Sequence, residues 1–142
     1  MPIITIRYAA LDTGFDRQDE IAEAALEAST AILGKRRELT AVVLSRVAPA
    51  DWYVAGKSLA AHGLSSFQLD IKVVDGTNTK DEKARFIEAM FRRMGELLGA
   101  LHEESYVYVE EVFADAYGYG GLTQERRYIA GNLGVPPHAV PA

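Results

Sequence analysis

The sequence predicts an α+β fold in which two βαβ units build one four-stranded sheet with both helices on the same face. One observation is the order strand, helix, strand, hairpin, which occurs twice with an offset of about 64 residues. Another is that the strand segments AVVL and YVYV are apolar on both faces, as buried strands are. The third is that turn and capping residues stand at the boundaries between these segments.

The first unit begins with a strand over residues 3–8, in which alternate residues share one face. After a Thr-Gly turn, Asp16 is positioned as the N-cap of a helix with an acidic first turn. The apolar stripe of this helix runs to about Leu33, and the glycine that follows predicts its C-cap. A second strand is predicted over residues 39–47, and a short hairpin or loop over residues 51–60.

The second unit repeats this order and begins with the clearest strand of the chain, residues 67–73, where apolar and polar residues alternate. Thr79 and Glu82 have the spacing of a capping box, so a second helix is predicted to start there. Its apolar residues recur at helical spacing up to Leu101. A further strand, a glycine-rich hairpin and a short polar helix are predicted at residues 106–112, 117–121 and 123–129.

Together the two units predict a single domain over residues 1–142, made of pseudo-repeats at about 2–63 and 64–130 and a C-terminal arm at 131–142. A right-handed crossover in each unit places both helices on one face of the sheet. The opposite face stays uncovered, and copies of the same sheet are its simplest cover. The pattern therefore predicts an oligomer.

Composition excludes several classes of function. The chain has no cysteine, so disulfides, thiolate metal sites and cysteine nucleophiles are impossible. Its three histidines lack ligand spacing, and we expect no metal and no bound cofactor. The net charge of −5 without a basic run argues against nucleic acid. We expect a soluble, cytoplasmic protein with no membrane partner, because a signal-peptide pattern and a long apolar run are both missing.

The segment Met1-Pro2 stands directly before a strand and is followed by two βαβ halves. This arrangement resembles that of members of the tautomerase superfamily. DAYGYGGLTQERRYIAG is similar to the glycine-rich hairpin and closing helix of 4-oxalocrotonate tautomerases, and also to malonate semialdehyde decarboxylases. SRVAPADWYVAG followed by FQLDIKVVDG is closer to 5-carboxymethyl-2-hydroxymuconate isomerases. The resemblance implies a homotrimer of two-unit chains with the sheets facing inward, and one site per chain because only the first half starts with proline.

Pro2 is the catalytic residue that the resemblance implies, once Met1 has been removed. A mature N-terminal proline is a secondary amine, and an ordinary α-amino group titrates at about 8. An apolar pocket or nearby cations disfavour its charged form, which gives a base suited to neutral pH. We therefore expect a cofactor-independent enol–keto tautomerase that acts on a small 2-hydroxy-dienoate or 2-oxo acid.

The cation that such a site needs is not where the resemblance implies it. Family members place an arginine just after the first strand of the second unit, where it holds a substrate carboxylate. Here that stretch contains Thr77 and Asn78 instead. Arg46, near the end of the second strand, is the best replacement, and Lys72 on the polar face of its strand is another. For each of them, a solvated or interface charge is the competing interpretation.

Three tyrosines are candidate substrate-binding residues. Tyr53 and Tyr117 fall where the family often has an aromatic wall near the proline, although hairpin aromatics also serve as interface packing. Tyr106 takes a second-strand position where some relatives carry arginine. It could donate a hydrogen bond to an enolate, and its competing interpretation is a core tyrosine.

Two other functions stay open on the same fold. A protonated Pro2 could act as an acid in dehalogenation or decarboxylation of a small acid, a route that typically needs paired arginines. A non-catalytic trimeric protein is the other alternative. A retained Met1 would favour it, because Pro2 would then have no basic nitrogen.

Overall fold

The structure is a computed structural model that describes residues 2–136. Its strands are β1 (Ile3–Ala9), β2 (Ala41–Arg46), β3 (Tyr53–Val54), β4 (Lys57–Ser58), β5 (Ser66–Val74), β6 (Tyr106–Val112), β7 (Gly118–Tyr119) and β8 (Leu122–Thr123). Its helices are α1 (Gln18–Ala31), α2 (Leu59–His62), α3 (Lys80–Leu98) and α4 (Gln124–Leu133). Met1 and residues 137–142 of the predicted C-terminal arm lie outside the described residues.

The main sheet has four strands in the order β2-β1-β5-β6. β1 and β2 are parallel, as are β5 and β6, and the two pairs are joined by the antiparallel neighbours β1 and β5. In this central pairing Ile6 lies opposite Leu69. Each parallel pair belongs to one βαβ unit, and the two units lie side by side in opposite directions. The predicted fold class is therefore confirmed.

One face of the sheet forms the core. Alternate residues of the two central strands are fully buried beneath α1 and α3, which also pack on each other; they are Ile4, Ile6, Tyr8, Phe67, Leu69 and Ile71. The intervening residues of these strands point to the other face, where Ile3 of β1 and Val43 of the neighbouring β2 remain about half exposed, at 49% and 47%. The open face that the sequence predicts is therefore present in the single chain.

The second long helix, α3, begins where it is predicted to begin, but its end and its buried face differ from the prediction. Thr79 and Glu82 form the capping box: the Thr79 hydroxyl accepts from the Glu82 N–H at 3.1 Å, and the Glu82 carboxylate accepts from the Thr79 N–H at 2.7 Å. The helix ends at Leu98 rather than near Leu101. Its core face contains Phe86, which is fully buried, whereas two residues of the predicted stripe, Ile87 and Phe91, are partly exposed.

Several other boundaries differ from the predictions. The N-cap of α1 is Arg17 rather than Asp16, and the helix ends at Ala31. Leu33 then turns into the core instead of continuing the helix. A 3-10 turn over Arg37–Leu39 delays the start of β2. α2 was not predicted, and its N-cap Ser58 accepts from a backbone N–H through its hydroxyl at 3.2 Å.

The topology gives the sheet two distinct ends. At the first, which we call the Pro2 end, β1 and β2 begin and β5 and β6 finish, and the β7–β8 hairpin follows β6. At the second, the Ser66 end, β5 and β6 begin and β1 and β2 finish, and the β3–β4 hairpin follows β2. The strand order therefore decides which loops can share a site.

Candidate active site at the Pro2 end

A cavity of about 120 Å³ lies at the Pro2 end of the sheet. It is lined by residues from both units: Pro2, Lys35, Lys72, Val73, Val74, Thr77, Tyr117 and Gln124. Three of the predicted site residues, Pro2, Lys72 and Tyr117, therefore share one cavity. The volume corresponds to roughly four water molecules.

Pro2 is buried and held by the sheet. Its carbonyl accepts a hydrogen bond from the Ala41 N–H at 3.1 Å, which extends the β1–β2 ladder by one step. Proline has no amide hydrogen to offer a ladder, so it suits the position before the first strand residue. The strand pairing thus fixes the start of the chain at the wall of the cavity.

Lys35 is a cavity residue that the sequence analysis missed. It follows the end of α1, and its backbone N–H donates to the carbonyl of Ser29 at 3.0 Å. Its ammonium group donates to the Thr77 hydroxyl at 3.3 Å. Burial lowers the pKa of Lys35, and the nearby Glu82 carboxylate opposes this effect in part. A partly desolvated cation therefore stands in the cavity with Pro2.

Thr77 and Asn78, which occupy the stretch where an arginine was expected, position the Lys35 loop. The Asn78 amide donates to the carbonyl of Leu33 at 2.9 Å, and this residue is only 8% exposed. The Thr77 hydroxyl donates to the carbonyl of Val74 at 2.6 Å and accepts from Lys35. These bonds connect the loop after β5 to the end of α1.

Lys72 is the second cation of the cavity, and its charge is shared. It lies on the open face of β5, and its ammonium group forms an ion pair with Glu110 on β6 at 3.3 Å. Both side chains are about half exposed, so the pair contributes little to stability. Of the two lysines, Lys35 is the one without a carboxylate in an ion pair among the described residues.

Tyr117 and Gln124 enter the cavity from the β7–β8 hairpin and the start of α4. The Gln124 N–H donates to the Tyr117 carbonyl at 2.9 Å, which closes the hairpin. Burial raises the pKa of Tyr117, so its hydroxyl stays protonated at neutral pH and can donate. The side-chain oxygen of Gln124 is buried and has no hydrogen-bond partner in the described chain.

The hairpin is locked to α4 by Arg127. Its guanidinium group lies 3.9 Å from the centre of the Tyr119 ring and donates to the Tyr119 carbonyl at 3.0 Å. Gly118 permits the close approach of the two hairpin strands, because a Cβ there would meet the Leu122 carbonyl oxygen at 1.9 Å. The two cavity residues of this segment are therefore carried on a fixed frame.

Arg46 lies at the Ser66 end of the same chain. It is paired with Tyr8 near the end of β1, and six residue steps along the strand separate Tyr8 from Pro2, roughly 20 Å. Its guanidinium group donates to the carbonyls of Phe15 at 2.7 Å and Asp12 at 2.9 Å. It also lies 5.7 Å from the centre of the Phe15 ring.

Tyr53 and Tyr106 are also at the Ser66 end, where they line a second cavity of about 440 Å³. The Tyr106 ring stacks on Tyr108, with ring centres 6.0 Å apart. The Tyr106 hydroxyl is hydrogen-bonded to the Glu104 carboxylate, which raises the pKa of Tyr106. Within one chain, these two tyrosines and Arg46 are therefore separated from Pro2.

No helix among the described residues is both long and apolar enough to cross a membrane. No protein-family model matches the sequence, and no curated protein matches it.

The chain has the fold of the tautomerase superfamily, as its comparison with solved structures shows. It matches Pt0534 inactivated by 2-oxo-3-pentynoate at 16% identity and a TM-score of 0.73, over 87% of this chain and 97% of that one. It matches the Q0 fused 4-OT wild type symmetric trimer at 20% identity and a TM-score of 0.73, over 87% and 96%. It also matches N1, a member of the cis-3-chloroacrylic acid dehalogenase family, at 19% identity and a TM-score of 0.68, over 89% of this chain and 90% of that one. The predicted resemblance is confirmed for the fold.

Proposed function

We propose that this chain is a cofactor-independent tautomerase that interconverts the enol and keto forms of a small 2-hydroxy-dienoate or 2-oxo acid. Pro2, after removal of Met1, is the base that moves the proton. The observation that carries the proposal is the cavity in which the buried Pro2 meets two lysines and a tyrosine with a protonated hydroxyl. These are the groups that proton transfer beside a carbonyl needs.

The reaction requires only a proton and a place for negative charge. The Pro2 nitrogen takes the proton from the enol hydroxyl, or from the carbon beside the carbonyl, and the electrons of that bond pass into the conjugated system. The same nitrogen then returns the proton to a carbon, or to the carbonyl oxygen when the enol is formed, so no atom is gained or lost. Burial and nearby cations disfavour a charged amine, so a cavity that also contains two lysines supports the assignment of Pro2 as the base. The Tyr117 hydroxyl and Lys72 are the donors we assign to the oxyanion.

Lys35, rather than Arg46, is the cation that we assign to the substrate carboxylate. Lys35 lies in the cavity, whereas the Arg46 guanidinium already donates to two backbone carbonyls. A lysine is a point charge without the planar fork of arginine, so it does not fix a carboxylate in two places. Since Lys72 shares its charge with Glu110, the site suits a monocarboxylate better than a dicarboxylate.

A homotrimer with inward-facing sheets is the assembly that we propose. The open face of the sheet and one side of α4 are uncovered in the single chain: Tyr128 and Leu133 are 72% and 69% exposed. The fused 4-OT structure named above is a symmetric trimer. Tyr53 and Tyr106 lie too far from Pro2 of their own chain, so they would reach a Pro2 cavity only from a neighbouring copy.

The test combines mass, labelling and turnover on one preparation. Intact mass establishes whether Met1 is absent. Ketonisation of phenylenolpyruvate and 2-hydroxymuconate is followed for the wild type and for Pro2→Ala, and both proteins are treated with 2-oxo-3-pentynoate. We expect turnover, faster for the monocarboxylate phenylenolpyruvate than for the dicarboxylate 2-hydroxymuconate, and the addition of one molecule of the acid per wild-type chain, located at Pro2, with neither in the variant. Without Met1, turnover that survives in Pro2→Ala would refute the role of Pro2.

Dehalogenation of a small acid is a second candidate, favoured by the likeness to a member of the cis-3-chloroacrylic acid dehalogenase family. In such a reaction water adds to the alkene and hydrogen chloride is lost. Chloride release from cis-3-chloroacrylate, measured beside the enol assay, separates the two activities. Chloride release without ketonisation would favour this candidate, and a mature chain that shows neither activity would favour a non-catalytic protein.

A further inference from the structure

The Gln124 side chain has a buried polar atom whose hydrogen bonding is incomplete in the described chain. Gln124 is the first residue of α4 and lines the Pro2 cavity, while its side-chain oxygen is buried without a partner. Most buried polar atoms in folded proteins have a partner, and an unpaired one is destabilising. Because Gln124 also lines the cavity, a ligand bound there is in a position to supply the missing donor.

The other polar groups of the cavity are donors. The Lys35 and Lys72 ammonium groups and the Tyr117 hydroxyl suit the oxygens of an anion. The Thr77 hydroxyl already both donates and accepts. A carbonyl oxygen on Gln124 has the opposite preference, because it repels a carboxylate and attracts a hydroxyl. The cavity thus offers two kinds of recognition within about 120 Å³.

We propose that Gln124 is a specificity residue that accepts a hydrogen bond from the hydroxyl beside the substrate carboxylate, and so selects the 2-hydroxy (enol) form over the 2-oxo form. The inference rests on the proposed function, since it concerns the substrate of the same cavity. A keto oxygen has no hydrogen to donate, so it leaves the Gln124 oxygen unpaired. A ligand that lacks this hydroxyl binds less tightly because it leaves the buried acceptor without a hydrogen bond.

The experiment measures binding and is independent of turnover. Wild type, Gln124→Met and Gln124→Leu are titrated by NMR with 2-hydroxybutanoate and with butanoate, which differ only in the hydroxyl. Gln18→Met is the matched control, because Gln18 is the first residue of α1 and is exposed. We expect the wild type and the control to prefer the hydroxy acid by about two- to tenfold, the range of one neutral hydrogen bond. Both Gln124 variants should lose this preference and bind butanoate as the wild type does.

Labelling by 2-oxo-3-pentynoate separates this role from an effect on Pro2. The acid carries a keto oxygen, so its rate of addition should be the same in Gln124→Met and in wild type. A wild type without a preference for the hydroxy acid overturns the proposal, as does a preference that persists in both variants. A labelling rate that falls in Gln124→Met also overturns it, since Gln124 would then act on Pro2. Failure of the tautomerase assay alone leaves the binding preference intact, so the two failures are distinguishable.

Discussion

Replacing Lys35 with methionine should separate activity from stability. The change keeps most of the aliphatic stem and removes the ammonium group that donates to Thr77 in the Pro2 cavity. A hydrogen bond to a charged group contributes about 1.5–3 kcal/mol. If Lys35 holds the substrate carboxylate, kcat/KM should fall by about 10- to 150-fold, since each 1.36 kcal/mol is tenfold.

Stability should respond in the opposite direction. Burial lowers the pKa of Lys35 in the folded state, so the charged form is less favourable there than in the unfolded chain. This penalty is present in full below the folded pKa and disappears as the pH rises past the unfolded value of about 10.4. We therefore expect Lys35→Met to be at least as stable as wild type near neutral pH, with a difference that shrinks in alkaline solution.

The assay is urea unfolding near neutral pH and near pH 10, beside kcat/KM for an enol substrate. Lys80→Met is the control, because Lys80 is exposed in the first turn of α3. It should leave kcat/KM within about twofold of wild type, as surface changes usually have small effects. The reasoning fails if Lys35→Met is clearly less stable than Lys80→Met at neutral pH, or if both variants have the same kcat/KM.

Two further predictions concern the core and the hairpin. Phe86→Ala should lower the free energy of unfolding by about 3–5 kcal/mol because Phe86 is fully buried, whereas Phe91→Ala, on the same helix and 37% exposed, should cost much less; equal losses in urea unfolding would contradict the assigned core face. Gly118→Ala should displace the hairpin, because its Cβ would meet the Leu122 carbonyl, and should lower kcat/KM. Gly131→Ala, where a Cβ meets nothing within 4 Å, should leave kcat/KM unchanged and raise stability by up to about 1 kcal/mol; a Gly118 variant with wild-type kcat/KM would refute the role of the hairpin frame.

Much of the fold could be predicted because its local signals agree with its packing. The alternation in β5 and the capping box at Thr79 indicate the elements that the structure contains. Sequence spacing does not fix the buried face of α3, because Phe86, Ile87, Met90 and Phe91 supply two adjacent apolar faces. Only packing against α1 decides which of the two is buried. α2 has four residues, too few for a helical period to be visible.

The site could be predicted only in part, because it depends on which loops meet. Pro2 and Tyr117 were identified from resemblance, and Lys72 from its strand. Lys35 had a signal that was available in the topology: in a βαβ unit, the loop between helix and second strand returns to the start of the first strand, where Pro2 lies. Gln124 had no such signal, since a glutamine at the start of a short polar helix is ordinary until its oxygen is found buried and unpaired.

The two ends of the sheet differ in the residue that stands at the start of the first strand of each βαβ unit. Ser66 begins β5 much as Pro2 precedes β1, but the hydroxyl groups of Ser65 and Ser66 form hydrogen bonds within the fold. The Ser66 hydroxyl bonds to Ser105 at 2.9 Å and to the Glu104 carbonyl at 3.1 Å, and the Ser65 hydroxyl accepts from the Leu11 N–H at 3.2 Å. Both serines are buried, and these bonds join the strand to its neighbours. A proline at the same place has no side-chain donor or acceptor, so it cannot form such a hydrogen-bonded junction at the Pro2 end.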